Sequence, residues 1–355
     1  MMSFYLPSMK ERKPSIRKWL KWEFWPFWFF YIPVYFKIVI DGIRSGTLSY
    51  FTLANPGMKL GGFASYSKYH ILRQLHSRYL PKSVLFYHEP TKQDVLQAMK
   101  ENSISFPIIL KPDEGERGWK VEKIMNEDGI DDYFLDVPDQ LILQEYINYE
   151  EEYGVMYFRF PNEKSGTISS VMKREFLSVT GDGKSSLLQL MNQNERCLYY
   201  LPRMKKKFAG ELNEVIPAGE RKILEEIGNH NRGTTFLNAH ELINDQLVKV
   251  FDEASSTLNE WYFGRYDVRT PSYEEMLKGN FKVIEVNGAN SEPTHIYDPN
   301  MSLFKAYRDL FAHWNTIYKI SKANRRRGFK TDKTGDVLAI IRAHQQEKKE
   351  HPNKI

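Results

Sequence analysis

The residues best suited to chemistry lie near the C-terminal end, on two short runs that the residue pattern predicts to be β-strands. Arg265 and Asp267 are on the first run, and Glu285 and Asn287 are on the second. Side chains alternate faces along a strand, so the two members of each pair share a face. If the strands pair, two carboxylates and an amide form the hard oxygen set that Mg²⁺ prefers, and Arg265 could contact a phosphate or an oxyanion. The alternative is a hairpin with solvated carboxylates.

A second candidate lies at the end of a predicted buried strand over residues 108–111. Lys111 would bring a positive charge to phosphate groups. The loop that follows contains Gly115 and Gly118, and glycines let backbone N–H groups close over phosphates. The alternative interpretation is a surface hairpin.

A third candidate is the predicted strand over residues 141–147, which runs into a polar junction and an acidic run at 150–152. Backbone N–H and C=O groups at such a strand edge can bind an adenine. A carboxylate a turn further on can accept hydrogen bonds from ribose hydroxyls. We interpret Glu150 and Glu151 as solvated loop residues.

Composition limits the class of protein. The chain has 355 residues, enough for two or three structural units. Its net charge of +5 fits anionic ligands or an anionic membrane surface and is too small to argue for nucleic acid. Cys197 is the one cysteine, which excludes an intrachain disulfide framework and a cysteine-based zinc site, and we interpret it as a buried structural thiol. A reducing compartment is consistent with this cysteine usage.

The N-terminal segment starts basic and becomes aromatic, with four of the seven tryptophans at positions 19, 22, 25 and 28. Pro26 and Pro33 interrupt the apolar run, which is shorter than the ~20 residues of a spanning helix and does not match a secretory signal. Tryptophan and tyrosine beside lysine and arginine favour the membrane interface. Two interpretations stay open: residues 10–40 contact the inner membrane surface, or they form an aromatic helical pair that packs on the body or in a dimer.

The rest of the chain predicts mixed helices and strands. The predicted helices cover residues 67–80, 91–100, 185–193, 245–261 and 336–349, and further strands cover 83–87 and 171–180. After residue 320 the chain becomes polar and basic, which we interpret as a solvated helix, with a phosphate- or lipid-binding patch as the alternative.

In this order, the motifs resemble those of the ATP-grasp superfamily, in particular the D-alanine–D-alanine ligase-like carboxylate–amine ligases. The resemblance covers about residues 66–320, and Arg265-x-Asp267 with Glu285-x-Asn287 is its most specific part. It implies an α+β fold in which two α+β subdomains, 66–145 and 146–320, clasp ATP. An aromatic-rich helical region, 1–65, would precede them, and a basic helical tail, 321–355, would follow. Region 1–65 does not resemble the family's usual N-terminal α/β domain.

The resemblance also implies a role for each matched residue. Nucleotide binding would involve Lys68, Lys111, Gly115, Gly118, Glu145, Tyr146, Ile147, Glu152 and Lys173. Among these, Lys111 and Lys173 would contact phosphates, and Glu152 would bind ribose. Asp267, Glu285 and Asn287 would hold Mg²⁺, with Mn²⁺ as the alternative metal. Arg265 would stabilise the transferring phosphoryl group and the tetrahedral intermediate.

Two stretches bear on the substrates. Residues 288–295 replace the Ser-Pro-Gly-type loop of the members specific for D-alanine, which argues against that substrate. Residues 228–235 are rich in hydrogen-bond donors, and Arg232 is the candidate for binding the acceptor or a carboxylate. His230 and His295 are candidate acid–base groups, with hydrogen-bonded structural histidines as the alternative.

The implied activity is ATP-dependent ligation of a carboxylate to an amine through an acyl phosphate, with release of ADP and phosphate. Two alternatives stay open: a kinase acting on a small molecule, and a membrane-associated ATP-binding protein without turnover. The expected partners are small-molecule or lipid-linked carboxylates and amines, with no nucleic acid, and a homodimer is left open. The expected location is the cytoplasm, at the inner face of the membrane if the N-terminal segment contacts it.

Overall fold

A computed structural model describes residues 21–115, 119–134 and 140–350. Within these ranges the chain forms three antiparallel sheets packed with helices, which confirms the predicted α+β class. The strands are β1 Ser83–Phe86, β2 Ile108–Pro112, β3 Glu122–Ile124, β4 Leu141–Glu145, β5 Glu151–Phe158, β6 Thr167–Glu175, β7 Ser178–Thr180, β8 Arg221–Ile223, β9 Thr235–Asn238, β10 Phe263–Thr270 and β11 Lys282–Asn287. The α-helices are α1 Phe27–Phe30, α2 Ile32–Ser45, α3 Lys68–Leu72, α4 Lys92–Glu101, α5 Asp128–Tyr133, α6 Leu187–Gln193, α7 Leu201–Lys207, α8 Asp245–Ser255, α9 Tyr273–Leu277, α10 Leu303–Arg326 and α11 Thr334–Glu350.

The smaller of the two main sheets has four strands in the order β1-β4-β2-β3. Its core includes Ile108, Leu110 and Leu143, which pack with side chains of α4 and α5. Thr91 starts α4 with a reciprocal capping box: its hydroxyl accepts the Asp94 N–H, and the Asp94 carboxylate accepts the Thr91 N–H. This sheet is a packed support for the end of β2, where Lys111 lies.

The larger sheet has five strands in the order β11-β10-β5-β6-β9. One of its faces is apolar and packs against α8 through buried side chains that include Val155, Val171, Tyr266, Val268 and Phe251. Strand residues of the other parity point to the opposite face. That opposite face carries most of the predicted site residues.

A two-stranded sheet of β7 and β8 lies between β6 and β9 in the sequence and has its own small core with α6 and α7. The predicted strand over 171–180 is therefore two strands, because β6 ends at Glu175 and β7 begins at Ser178. Cys197 is buried in this core, as predicted, and burial raises the pKa of its thiol to about 12.

The N-terminal region packs against the long helix α10. Phe30, Val34 and Tyr50 are buried in the same core as Leu310 and Ile317 of that helix. Helix α10 continues past residue 320, so the predicted start of the tail falls inside a helix.

The N-terminal region also fixes both strands of the candidate site. The Asn55 side chain is fully buried, where its Oδ1 accepts the N–H groups of Tyr262 and Phe263 at 2.8 and 2.9 Å. The carbonyl of Gly61 accepts the N–H of Ala289 at 3.0 Å, just beyond the end of β11. These contacts make residues 55–62 part of the support for β10 and β11.

The aromatic run contains both buried and exposed side chains. Phe30 and Tyr31 are buried, and the Trp22 indole N–H donates to the carbonyl of Met301, so this part packs on the body. Trp28 and Phe36, in contrast, are 63% and 67% exposed. Across the described ranges, none of the helices combines the length and apolar character needed to cross a membrane.

Candidate active site

The two C-terminal strands pair in the way the sequence suggested. In the antiparallel register of β10 and β11, Asp267 lies opposite Glu285, and Arg265 lies opposite Asn287. Directly opposed residues of an antiparallel pair share a face. The two carboxylates, the amide and the guanidinium are therefore brought together on the polar face of the larger sheet.

Asp267 is buried between two arginines. Arg265 donates from Nε to Oδ1 at 2.7 Å and from Nη2 to Oδ2 at 3.2 Å, while Arg174 Nη2 lies 3.0 Å from Oδ2. Burial disfavours the carboxylate, but the charges of Arg174 and Arg265 outweigh it and hold the pKa of Asp267 below its usual value. Asp267 is therefore a carboxylate at neutral pH.

The chemistry of the donor set fits a hard divalent cation. Glu285 and Asn287 are half-buried, and the buried Nδ2 of Asn287 has no hydrogen-bond partner among the described residues. The described part of the chain contains no group of three or more histidine, cysteine and acidic side chains suited to a metal. A cation here would depend on two carboxylates and an amide, with water or phosphate oxygens completing its shell.

Gly154 lets neighbouring side chains pack beside Asp267. It lies directly opposite Asp267 on the neighbouring strand β5. A Cβ atom at Gly154 would lie 2.9 Å from Met172 Cε, 3.3 Å from Arg265 Cδ and 3.5 Å from Asp267 Oδ1. The absence of a side chain therefore leaves room for the Met172 and Arg265 side chains beside the carboxylate.

Lys111 connects the two main sheets. It extends from the end of β2, and its Nζ donates to Gln144 Oε1 and to the carbonyl of Ile284, both at 3.2 Å. Burial lowers the pKa of Lys111 to about 8, although the nearby Glu285 favours the charged form. The predicted phosphate-binding lysine is thus directed at the strand that carries the predicted metal ligands.

Lys68 and the start of the glycine loop are also adjacent. Lys68 Nζ donates to the carbonyl of Gly115 at 2.6 Å, and the Tyr69 N–H donates to Asp113 Oδ1 at 2.8 Å. Gly118, with the rest of the loop over residues 116–118, lies outside the described residues. The first residue of the loop is therefore held by the lysine that the resemblance assigns to phosphate.

Polar groups of the predicted adenine-binding residues 145–147 already form hydrogen bonds within the protein. The Glu145 carboxylate accepts the Lys82 N–H at 2.8 Å, and the Glu145 N–H donates to the carbonyl of Lys82 at 2.9 Å. The carbonyl of Ile147 accepts from Arg269 Nη1 at 2.8 Å, and the Arg269 guanidinium lies 5.1 Å from the centre of the Tyr146 ring. Adenine binding at these backbone groups would have to replace the existing contacts.

Glu152, the predicted ribose ligand, is bound by two arginines. Its carboxylate accepts from Arg269 Nε at 3.0 Å and also pairs with Arg174. Glu152 is buried on the same face as Asp267, so Arg174 bridges the two carboxylates. Glu151, interpreted above as a solvated loop residue, instead begins β5 and accepts from the Tyr153 hydroxyl at 2.8 Å.

Lys173 does not join the predicted cluster. It lies opposite Tyr153 on β5, and its amino group pairs with Glu151. Tyr153 belongs to the apolar face packed against α8, so Lys173 is on the side of the sheet away from Asp267. The predicted phosphate contact of Lys173 is therefore not supported, because alternation along β6 turns its neighbour Arg174 toward the site.

Arg174 and Arg269 are the site residues that the sequence analysis missed. Burial disfavours the charged form of both guanidinium groups. For Arg174, the carboxylates of Asp267 and Glu152 outweigh burial and raise its pKa. For Arg269, Glu152 outweighs burial and raises its pKa. Counting in steps of two from Asp267 identifies Arg269, because it lies on the same strand and face. No such count identifies Arg174, since the register between β5 and β6 is not readable from the sequence.

Arg232 lies at the edge between the two sheets. Its Nη2 is 3.5 Å from Glu122 Oε1 on β3, and its Nη1 is 3.9 Å from Glu225 Oε1. Lys123, also on β3, forms a second ion pair, with its Nζ 2.7 Å from Glu226 Oε2. Arg232 is thus separate from the carboxylate cluster and connects the loop before β9 to the smaller sheet.

The two candidate acid–base histidines have structural partners. His295 is buried, with Nδ1 2.7 Å from Ser170 Oγ and Nε2 3.0 Å from Asp309 Oδ2, so both ring nitrogens are used. His230 Nε2 lies 3.3 Å from Glu23 Oε2, and burial lowers the pKa of His230 despite that carboxylate. These contacts favour the structural interpretation for both.

Comparison with known proteins gives structural matches alone. No protein-family model matches the chain, and no curated protein does. The solved structures that match include a bifunctional glutathione synthetase from Pasteurella multocida, with 15% identity over 70% of this chain and 38% of that chain and a TM-score of 0.38. They also include the VanG D-Ala:D-Ser ligase from Enterococcus faecalis (15% identity, 71% of this chain and 61% of that chain, TM-score 0.39) and a D-alanine–D-alanine ligase from Bacillus anthracis (14%, 74% and 69%, TM-score 0.40).

These matched structures are ATP-grasp enzymes, the class that the sequence motifs resemble. The chain spans less than two thirds of the length of the first two.

Proposed function

We propose that this protein is an ATP-dependent ligase that joins a carboxylate to an amine and releases ADP and phosphate. One observation carries the proposal: Lys111 of the smaller sheet reaches the polar face of the larger sheet, where Asp267, Glu285 and Arg265 are gathered. The lysine of one sheet and the carboxylates of the other thus lie close enough to interact electrostatically. That arrangement suits a triphosphate whose charge must be neutralised from both sides.

The proposed roles follow from position. Lys68, Lys111 and Arg174 would bind phosphate oxygens, with Arg174 in the role that the resemblance implied for Lys173. Asp267, Glu285 and Asn287 would hold Mg²⁺, or Mn²⁺ as the alternative, which would neutralise charge on the phosphates. Glu145, Tyr146 and Ile147 would line the adenine site. Glu152 would bind ribose in place of one of its two arginine partners.

The chemical steps require positioning and electrostatics, with no side-chain nucleophile. A substrate carboxylate would attack the γ-phosphate and form an acyl phosphate, with ADP as the leaving group. The amine would then attack the acyl carbon and displace phosphate. Arg265 would stabilise the oxyanion. Because its Nη1 donates to the carbonyl of Glu292 at 3.2 Å, it also connects this step to the loop over residues 288–295.

The substrates are proposed by class alone. They are small-molecule or lipid-linked carboxylates and amines, and Arg232 is the proposed contact for the acceptor. The loop over residues 288–295 is the proposed reason that D-alanine is not the substrate. A cytoplasmic location at the membrane surface and a homodimer remain separate proposals.

The test is Mg²⁺-dependent ADP release by the full chain with hydroxylamine and pooled carboxylic and amino acids. Hydroxylamine traps acyl phosphates as hydroxamates, so ADP with a hydroxamate supports the ligase and identifies the acid. ADP with a stable phosphorylated product would instead establish the kinase. ATP binding without turnover in any acid pool would contradict the proposal in favour of a binding protein.

A matched pair of variants connects that activity to the site. Glu285→Gln keeps the size of the side chain and removes its charge, and we expect it to abolish ADP release while thermal unfolding is unchanged. Glu220→Gln makes the same change at an exposed turn far from the cluster and should behave as wild type. Full activity in a folded Glu285→Gln variant would remove the metal assignment.

A further inference from the structure

Helix α2 (Ile32–Ser45) has two very different faces. One face packs on the protein through buried residues that include Val34 and Gly42. The other face is apolar and exposed, and Trp28 of α1 precedes it. The exposed side chains are Trp28, Ile32, Phe36, Val39, Ile40 and Ile43, with exposed fractions between 41% and 73%.

These side chains form one continuous stripe. At about 100° per residue, positions 32, 36, 39, 40 and 43 fall within a ~100° arc, the width of the apolar stripe that usually faces a protein core. Here the helix already has a packed face on its other side. Single exposed apolar residues are ordinary, but a contiguous exposed stripe marks a surface that binds something apolar.

Basic groups lie beside the C-terminal end of this stripe. The Arg44 side chain is 59% exposed, with its guanidinium 5.1 Å from the centre of the Tyr318 ring and Nη1 3.5 Å from Oδ1 of the buried Asp41. Arg325 of α10 donates to the carbonyl of Ser45, which brings the basic end of α10 to the end of α2. Arg326 follows and is exposed. The apolar stripe is therefore bordered by positive charge.

We propose that this face of α2, together with Trp28, docks on an anionic lipid surface. An apolar stripe bordered by arginines and preceded by a tryptophan matches a headgroup boundary, where acyl chains take up the apolar side chains and phosphates pair with the guanidinium groups. A second copy of the chain is a poorer match. A two-fold contact would bring the same patch, with its arginines, against itself.

The proposal is tested by cosedimentation of the full chain with vesicles of phosphatidylcholine alone and of phosphatidylcholine with 30% phosphatidylglycerol, a composition that is about one-third anionic. We expect binding to the anionic vesicles, weaker binding as salt is raised, and at least ~10-fold weaker binding for Phe36→Glu/Ile43→Glu. Tyr87→Glu, at an exposed aromatic residue just after β1, is the matched control and should bind as wild type.

Three outcomes would overturn the proposal: no binding of the wild type to anionic vesicles, equal binding by the double variant, or equal binding to both kinds of vesicle. Light scattering tests the alternative that a second copy of the chain covers the stripe. A dimeric wild type and a monomeric double variant would assign the stripe to self-association. The proposal is independent of the ligase activity, because Phe36, Ile43 and Tyr87 are not among the proposed site residues. Thermal unfolding of the double variant, compared with wild type, is the control for its folding.

Discussion

Arg174 and Asp267 are joined across an intervening strand, with Arg174 Nη2 3.0 Å from Asp267 Oδ2. Arg174 is on β6 and Asp267 is on β10, and β5 separates them in the sheet. The residue of β5 that lies opposite Asp267 is Gly154. Gly154 has no side chain to separate the two residues, and the guanidinium of Arg174 connects Asp267 to Glu152.

The pair Arg174 and Lys173 gives the sharpest test of the site. We expect Arg174→Met to lower ATP turnover by ~100-fold or more, because it removes a buried cation beside the proposed phosphate and metal groups. Lys173→Met removes a cation from the opposite face and should leave turnover about unchanged. Steady-state ADP release under saturating ATP measures both.

Thermal unfolding of the two variants is the control, and Arg174→Lys keeps the positive charge if Arg174→Met is unstable. Loss of turnover in Lys173→Met with normal activity in Arg174→Met would restore the role that the sequence suggested for Lys173.

Gly154 provides a test that changes no charge. In Gly154→Ala the added methyl group lies 3.3 Å from Arg265 Cδ and 2.9 Å from Met172 Cε, so both side chains must shift. We expect turnover to fall by roughly 10-fold because a small displacement of catalytic groups is costly. The flexible Met172 terminus should limit the loss of stability to about 1 kcal/mol. Gly210→Ala, where the new methyl group meets nothing within 4 Å, is the control for activity and unfolding. Normal turnover in Gly154→Ala would show that a shift of Arg265 and Met172 beside Asp267 does not affect the reaction.

Glu23 is the buried partner of Arg196 and His230, at 3.1 and 3.3 Å. Glu23→Ala should lower the free energy of unfolding by about 3 kcal/mol, because it leaves a buried arginine without its counter-ion. Lys21→Ala breaks an exposed ion pair with Glu195 and should cost less than about 1 kcal/mol. If urea unfolding gave equal losses of free energy for Glu23→Ala and Lys21→Ala, Glu23 would not be the residue that mainly holds the start of the described chain on the body.

The same carboxylate predicts a pH dependence. Burial opposes its charge, but His230 and Arg196 outweigh this and lower the pKa of Glu23 from its ordinary value of 4.5. A carboxyl group with a lowered pKa stabilises the fold fully above about pH 4.5 and loses that contribution as the pH falls through the folded-state pKa. The difference in unfolding free energy between wild type and Glu23→Gln should therefore shrink on acidification. A difference that stays constant down to pH 3 would contradict the assignment.

Asn55 tests whether the N-terminal region supports the site strands. Its side chain accepts two backbone N–H groups at the start of β10, and its Nδ2 donates to the carbonyls of Gly61 and Phe263 at 2.9 and 2.8 Å. Asn55→Ala leaves buried groups unsatisfied and should cost about 3 kcal/mol. Asn192→Ala removes an exposed bond within α6 and should change stability by about 0.5 kcal/mol or less. If Asn55→Ala lowered the free energy of unfolding in urea only slightly, the N-terminal region would not be needed for the stability of the sheet.

The sequence allowed the parts of the site that depend on local periodicity to be predicted. The shared face of Glu285 and Asn287 follows from strand alternation alone, and the pairing with β10 extends it to Asp267. The start of α4 was also readable, since Thr91 and Asp94 form a local capping box. Each of these features depends on residues within one strand pair or one helical turn.

Features that depend on distant neighbours could not be predicted. Whether Lys173 or Arg174 faces Asp267 depends on the register of β6 on β5. This register has an irregularity between Met156 and Tyr157. The helix predicted to reach residue 80 ends at Leu72, where the chain turns to reach β1. The helix predicted to reach residue 261 ends at Ser255 before the turn into β10.

The contact between residues 61–62 and 288–289 affects how this protein could be recombined with others. A methyl group added at either Gly62 or Gly288 would lie 2.6 Å from the Cα of the other, so the two backbones touch with no side chain between them. Such a junction accepts only glycine on both sides. The N-terminal region, as far as residues 21–65 describe it, therefore cannot be exchanged as an independent module, and a chimera that keeps β10 and β11 must inherit this region with them.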